Sequence, residues 1–119
     1  MTVLAVLPGK APERMELDSS LESMQKFVGG MIQAVYPFSD PVAIVCNDEG
    51  KLLGLGYNRA LWDDEGNIYD ILCGPFFICG LGEDNFASLP EDLLWKYAQY
   101  FQHPELFLRI GESLMVVPF

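Results

Sequence analysis

Basic residues are scarce in this sequence. Lys and Arg number 7 against 17 Asp and Glu, for a net charge of −10. Binding to a phosphate backbone needs clustered Lys and Arg, so direct nucleic-acid binding is not expected. Docking on anionic lipid is disfavoured for the same reason. Histidine is limited to His103, which leaves no zinc-type ligand cluster and no ready base for a nucleophile. No apolar run approaches the roughly 20 residues that cross a bilayer. Met1 to Leu7 lacks the basic flank and long apolar stretch of a secretory signal. The expectation is a soluble, cytoplasmic protein without membrane contact.

Cysteine is also sparse. Cys46, Cys73 and Cys79 are odd in number and each follows apolar neighbours, as in Ile44-Val45-Cys46 and Phe77-Ile78-Cys79. That pattern suits reduced, buried thiols rather than disulfides or metal ligands. No metal and no cofactor is expected.

Apolar residues are plentiful. Half the chain is hydrophobic and 13% is aromatic, which excludes intrinsic disorder. With no repeat, low-complexity tract or linker-like stretch, residues 1–119 read as one domain.

Thr2 to Leu7 reads as a strand stopped at Pro8-Gly9, and the alternation over Glu13 to Leu17 as its hairpin partner. Ser19 and Glu22 have capping-box spacing before a helix that ends at Gly29-Gly30. Met31 to Tyr36 and Val42 to Cys46 read as strands. Asn47 to Gly50 signals a turn, with Lys51 to Leu55 returning as a hairpin partner. Ile68 to Cys79 is a strand or strand pair broken at Gly74-Pro75. Ser88 and Glu91 open a second helix carrying the stripe Leu93, Leu94, Tyr97, Ala98, Phe101. Pro104 to Ile110 reads as a short third helix, and Leu114 to Val117 as a last strand. The order β-β-α-β-β-β-β-α-α-β implies an α+β fold with a mainly antiparallel sheet.

Few side chains stand out chemically. Asp48-Glu49, Asp63-Asp64-Glu65, Glu83-Asp84 and Glu91-Asp92 lie at turns or helix starts, where carboxylates have structural reasons to be. Gly80 and Gly82 make no phosphate loop, because no Gly-Lys-Ser or Gly-Lys-Thr follows. Gly54 to Asp64 shows no clear period and reads as an irregular loop. It carries Tyr57, Asn58, Arg59 and Trp62, and Arg59 is its one cation. Two readings stand open. Arg59 holds a small anionic or aromatic ligand between aromatic faces, or it clamps its own loop through internal acceptors. Trp95 falls off the apolar helix stripe, so it is either a protein-contact anchor or covered by the segment from Pro104 onward.

Three blocks resemble a known family. Leu21-Glu22-Ser23-Met24-Gln25-Lys26-Phe27-Val28-Gly29-Gly30 with Ile32-Gln33-Ala34-Val35 is similar to the pattern LQxxVGGxIExV. Asn47-Asp48-Glu49-Gly50-Lys51-Leu52, Gly54-Leu55 and Asn58-Arg59 are similar to NEEGKLxGLxxNR, with Gly56 where many members carry proline. Ile68-Tyr69-Asp70-Ile71, Gly74, Phe76-Phe77-Ile78 and Gly80 resemble the next apolar block. The family is catalogued as domain of unknown function thirty-eight forty-six, small proteins of bacteria and phages. The resemblance implies a mobile-element setting, a cytoplasmic location and a stand-alone domain, and it brings no catalytic residue. The functional expectation is a non-enzymatic accessory protein that binds a protein partner, in counter-defence for example. Its acidity also permits nucleic-acid mimicry. The alternative is a binding or sequestering protein for a nucleotide-like ligand around Arg59.

Overall fold

The computed structural model describes residues 1–119. At its centre is an antiparallel sheet built from β1 (Thr2–Val6), β2 (Glu13–Glu16), β3 (Ile32–Val35), β4 (Val42–Asn47) and β7 (Phe76–Leu81), in the order β2-β1-β7-β4-β3. A two-residue strand, β8 (Phe86–Ala87), also pairs with β7. The fold is therefore α+β with a mainly antiparallel sheet.

Both faces of this sheet are covered. Ile78 on β7 lies between Leu4 and Ile44, and Phe77 between Ala5 and Val45. Leu4, Ile44 and Ile78 point to one side, where they join Leu94, Tyr97 and Phe101 of α2 (Glu91–Tyr100 with its C-terminal cap) and Leu61 and Leu72. Val45 and Phe77 point to the other side, against Met24 and Val28 of α1 (Leu21–Val28). A strand covered on both sides has no polar face, so β4 and β7 read as continuous apolar runs rather than alternating ones.

Leu61 and Leu72 come from a separate two-stranded ribbon, β5 (Tyr57–Trp62) paired with β6 (Ile68–Cys73). A second ribbon, β9 (Glu105–Ile110) with β10 (Ser113–Pro118), closes the chain. The observed order is β-β-α-β-β-β-β-β-β-α-β-β.

Several local readings need correction. Lys51 to Leu55 is not a strand. It is a coiled turn in which the Leu53 amide reaches the Glu49 carbonyl and the Leu55 amide reaches the Gly50 carbonyl, and β4 pairs with β3 and β7 instead. Gly54 to Asp64 is not an irregular loop throughout, since Tyr57–Trp62 is β5. Two register shifts in its pairing with β6 disrupt the period that would have revealed it. Glu105 to Ile110 is a strand, not a helix. Leu106, Leu108 and Ile110 follow the period of two, whereas Pro104 had suggested a helix start.

The helix caps also differ. Ser20, not Ser19, accepts the Ser23 amide at 3.2 Å. Ser88 does not cap α2, because its hydroxyl accepts the Thr2 amide at 2.8 Å and fixes the start of β1. α1 does end at Gly29, whose φ of +84° suits glycine. Gly30 follows beneath Asn47, which donates to the Val28 carbonyl at 3.1 Å, and a Cβ on Gly30 would meet that amide nitrogen at 2.9 Å.

Candidate functional site

The β5 segment divides between interior and surface. Arg59 is 1% exposed. One guanidinium nitrogen donates to the Lys10 carbonyl at 2.7 Å and the Phe101 carbonyl at 3.0 Å; the other donates to Asn58 Oδ1 at 2.9 Å and the Asn58 carbonyl at 3.2 Å. Asn58 in turn donates to the carbonyls of Val6 and Gly74, each at 2.9 Å. Four distant pieces of backbone meet there: the end of β1, the turn after it, the β6–β7 turn and the C-terminus of α2. Burial draws the Arg59 pKa below its usual value, opposed by the nearby Glu105 carboxylate. Glu105 itself accepts the Ala60 amide at 2.7 Å. The anchoring contacts of Arg59 and Asn58 are thus internal, and Arg59 Nε has no partner.

Trp62, at the far end of β5, reaches the surface. It borders a groove of about 260 Å³ with Pro37, Phe38, Leu61, Asp63, Asp64, Tyr69 and Tyr100. Three parts of the chain supply these side chains: the β3–β4 connection, the β5–β6 turn with its flanking strands, and the last turn of α2. The groove is held from behind, because Phe38 packs on Tyr97 (4.5 Å between ring centres), Tyr100 (5.3 Å) and Phe101 (6.2 Å). Asp63 Oδ1 accepts the amides of Glu65 and Asn67 and so closes the β5–β6 turn. Asp64 makes no such bond and is exposed. Burial pushes the Tyr69 and Tyr100 phenols up, so both rings are neutral near pH 7; the Asp70 and Asp63 carboxylates add to the first and Tyr69 and Glu105 to the second.

Tyr57 lies at the other end of β5, edge-on to Phe107 of β9 at 5.1 Å. Trp95 is 64% exposed on α2. The segment from Pro104 onward does not cover it, because that segment is the β9–β10 ribbon and lies beside β5. The five residues Tyr57, Asn58, Arg59, Trp62 and Trp95 therefore do not converge on one pocket.

Two other features fell outside the sequence reading. One is a cleft of about 330 Å³ beneath the Asn47–Leu52 turn, where Lys51 bridges to Asp70 at 2.6 Å and Cys46 and Cys73 form part of the wall. Burial pushes the Cys46 thiol up to about 11 and raises Cys73 as well, so these thiols are weak nucleophiles at neutral pH. The other is the outer face of the β9–β10 ribbon. Leu106 stands opposite Val117 and Leu108 opposite Met115, with Ile110 and Phe119 extending the row. All six are exposed. The period-two signal for this face was present in the sequence, but it was absorbed into a helix reading.

A family profile described as Domain of unknown function (DUF3846) matches residues 1–102. The chain belongs to the DUF3846 family. Searches of curated proteins and of solved structures find no match. The DUF3846 match runs from β1 through α2, so it contains the Arg59–Asn58 anchor and the whole Trp62 groove. The β9–β10 ribbon follows it.

Proposed function

We propose that the protein works by binding another protein and not by catalysis. The observation that carries this reading is the apolar face of the β9–β10 ribbon. Leu106, Leu108, Ile110, Met115, Val117 and Phe119 expose on the order of 500 Å², near the upper end for the largest apolar patch on a monomer. No charged residue interrupts the row, in a chain whose net charge is −10. Side chains of this kind stay in water at a cost that burial against a partner removes. Trp95 is a second exposed anchor of the type enriched at interface centres.

Chemistry is less well supported. His103 is exposed and donates no side-chain hydrogen bond, and the cysteine thiols are held protonated. A ligand site centred on Arg59 has less support too, because the guanidinium is buried and bonded to the chain's own carbonyls. In this proposal the protein serves a mobile element, with a host protein as the target and counter-defence as the purpose.

The test compares Leu108→Asp and Met115→Asp with Leu52→Asp, an exposed apolar residue outside the ribbon. Each is cross-linked in producing cells. The reading requires one partner that disappears with both ribbon variants and remains with Leu52→Asp. An unchanged set of cross-linked proteins across all three variants overturns it.

A further inference from the structure

We propose that the Trp62 groove is a seat for an arginine side chain on a basic segment of a polypeptide partner. This goes beyond the ribbon reading and stands without it, since none of the six ribbon side chains borders the groove.

Size is the first argument. Pockets for small-molecule ligands span ~300–1,000 Å³. At about 260 Å³ the groove falls below that range and suits one side chain better than a cofactor or nucleotide. Its lining gives the sign of the charge. Phe38, Trp62, Tyr69 and Tyr100 offer four aromatic rings, whose faces are electron-rich and attract cations. Asp63 and Asp64 place two carboxylates at the rim, and neither is in an ion pair. No Lys or Arg lines the groove. The cation on the neighbouring helix, Lys96, is held by Asp40 at 2.6 Å. The groove thus combines aromatic side chains with uncompensated carboxylates on a strongly acidic protein, a field that concentrates cations.

Geometry favours guanidinium over ammonium. A planar guanidinium stacks on a ring and forks two N–H donors onto one carboxylate at once, and a lysine ammonium does neither. Asp64 is the carboxylate free to accept the fork, because Asp63 Oδ1 is engaged in the turn. The groove is also preformed. Phe38 and Tyr100 are packed against core aromatics, so little side-chain ordering opposes binding.

The probes are acetyl-Gly-Gly-Arg-Gly-Gly-amide, its lysine and citrulline counterparts, and tetramethylammonium chloride. The readout is the pair of indole N–H signals of Trp62 and Trp95 in a nitrogen–proton correlation spectrum. A saturable shift of the Trp62 signal with the arginine peptide, about fivefold weaker binding of the lysine peptide and none of the neutral citrulline peptide support the proposal. The Trp95 signal serves as the internal control and stays in place. Asp64→Asn, an exposed change that leaves folding intact, weakens the arginine peptide about fivefold. No saturable shift overturns the proposal. So do equal shifts of both indoles, an Asp64→Asn variant that binds as well as the parent, or tetramethylammonium binding as tightly as the peptide, which would make a free organic cation the occupant.

Discussion

The guanidinium of Arg59 donates to the carbonyl of Phe101 at 3.0 Å and so ties the middle of β5 to the C-terminus of α2. The last carbonyls of a helix lack intrahelical donors, and a buried cation there satisfies one and complements the helix dipole. The same nitrogen holds Lys10, 49 residues away in sequence. Removing the guanidinium strands the buried Phe101 and Asn58 acceptors and releases the Lys10 carbonyl, which lies nearer the surface. Arg59→Ala should therefore cost at least about 3 kcal/mol, and Arg59→Lys nearly as much, because an ammonium cannot reach three directions from one plane. Urea unfolding of both variants measures this. A loss below about 1 kcal/mol for Arg59→Ala would show that water or rearranged side chains replace those bonds.

Asp40 predicts the shape of the acid limb of stability. Its carboxylate accepts Lys96 Nζ and the Tyr97 hydroxyl, each at 2.6 Å. These bonds, that from Lys96 first, hold the carboxyl below its ordinary value of 3.8. A pKa lower in the folded state than in the unfolded one means that the unfolded chain binds the proton more readily. The stabilisation is present above about pH 4 and disappears as the pH falls through the folded-state value. Asp40→Asn should flatten this limb, and Tyr97→Phe should move the Asp40 titration upward by removing one donor. Urea unfolding repeated across the acid range reports the first, and the Asp40 carboxyl carbon shift followed against pH reports the second. An Asp40 titration unaltered in Tyr97→Phe would mean that the hydroxyl bond does not form in solution.

Apolar content was the most legible part of the sequence. Thr2–Val6, Val42–Asn47 and the break at Gly74 lie where apolar runs and turn residues place them, because burial on both faces leaves a continuous signal. The breaks in pattern were harder. β5 has a buried Asn58-Arg59 pair inside a strand, and only the tertiary fold reveals that their partners are Val6, Lys10, Gly74 and Phe101. An arginine among aromatic residues looks the same in sequence whether it faces a ligand or three backbone carbonyls and the side chain before it. Trp62 was visible as a surface candidate, but its companions Phe38, Tyr69 and Tyr100 come from three other segments, and no local spacing links them.

The thiols give a prediction with its own order. Burial pushes Cys79 up to about 12 and Cys46 up to about 11, and it also raises Cys73. Thiolate is the reactive form, so iodoacetamide at pH 8 should label the native protein far more slowly than the urea-unfolded chain. Cys79, wholly enclosed between α1 and the sheet, should react last. The sign for stability is opposite to that of Asp40. The folded state retains these protons beyond the unfolded value near 9, so their contribution is full below pH 9 and is lost as the pH rises above it. Mass-spectrometric counting of labelled sites over time checks the order, and rapid native labelling of Cys79 would show that the sheet opens locally.

The two faces of the β9–β10 ribbon should respond oppositely to the same chemistry. Phe107 packs edge-on against Tyr57 at 5.1 Å, and Glu105 on the same side holds the Ala60 amide. Leu108, one residue further on, points the other way and is exposed. A polar residue at position 107 removes a ring from a half-buried contact, whereas at position 108 it replaces an apolar side chain already in water. Phe107→Ser should lower stability by about 1–3 kcal/mol, and Leu108→Ser should stay within about 0.5 kcal/mol of the parent. The ribbon pairs with no strand of the central sheet, and these contacts seat it against β5. Phe107→Ser should then also expose the Ala60 amide to hydrogen exchange. Equal melting temperatures for the two serine variants would mean that the ribbon is not seated on β5 in solution, and its outer face would lose its defined orientation.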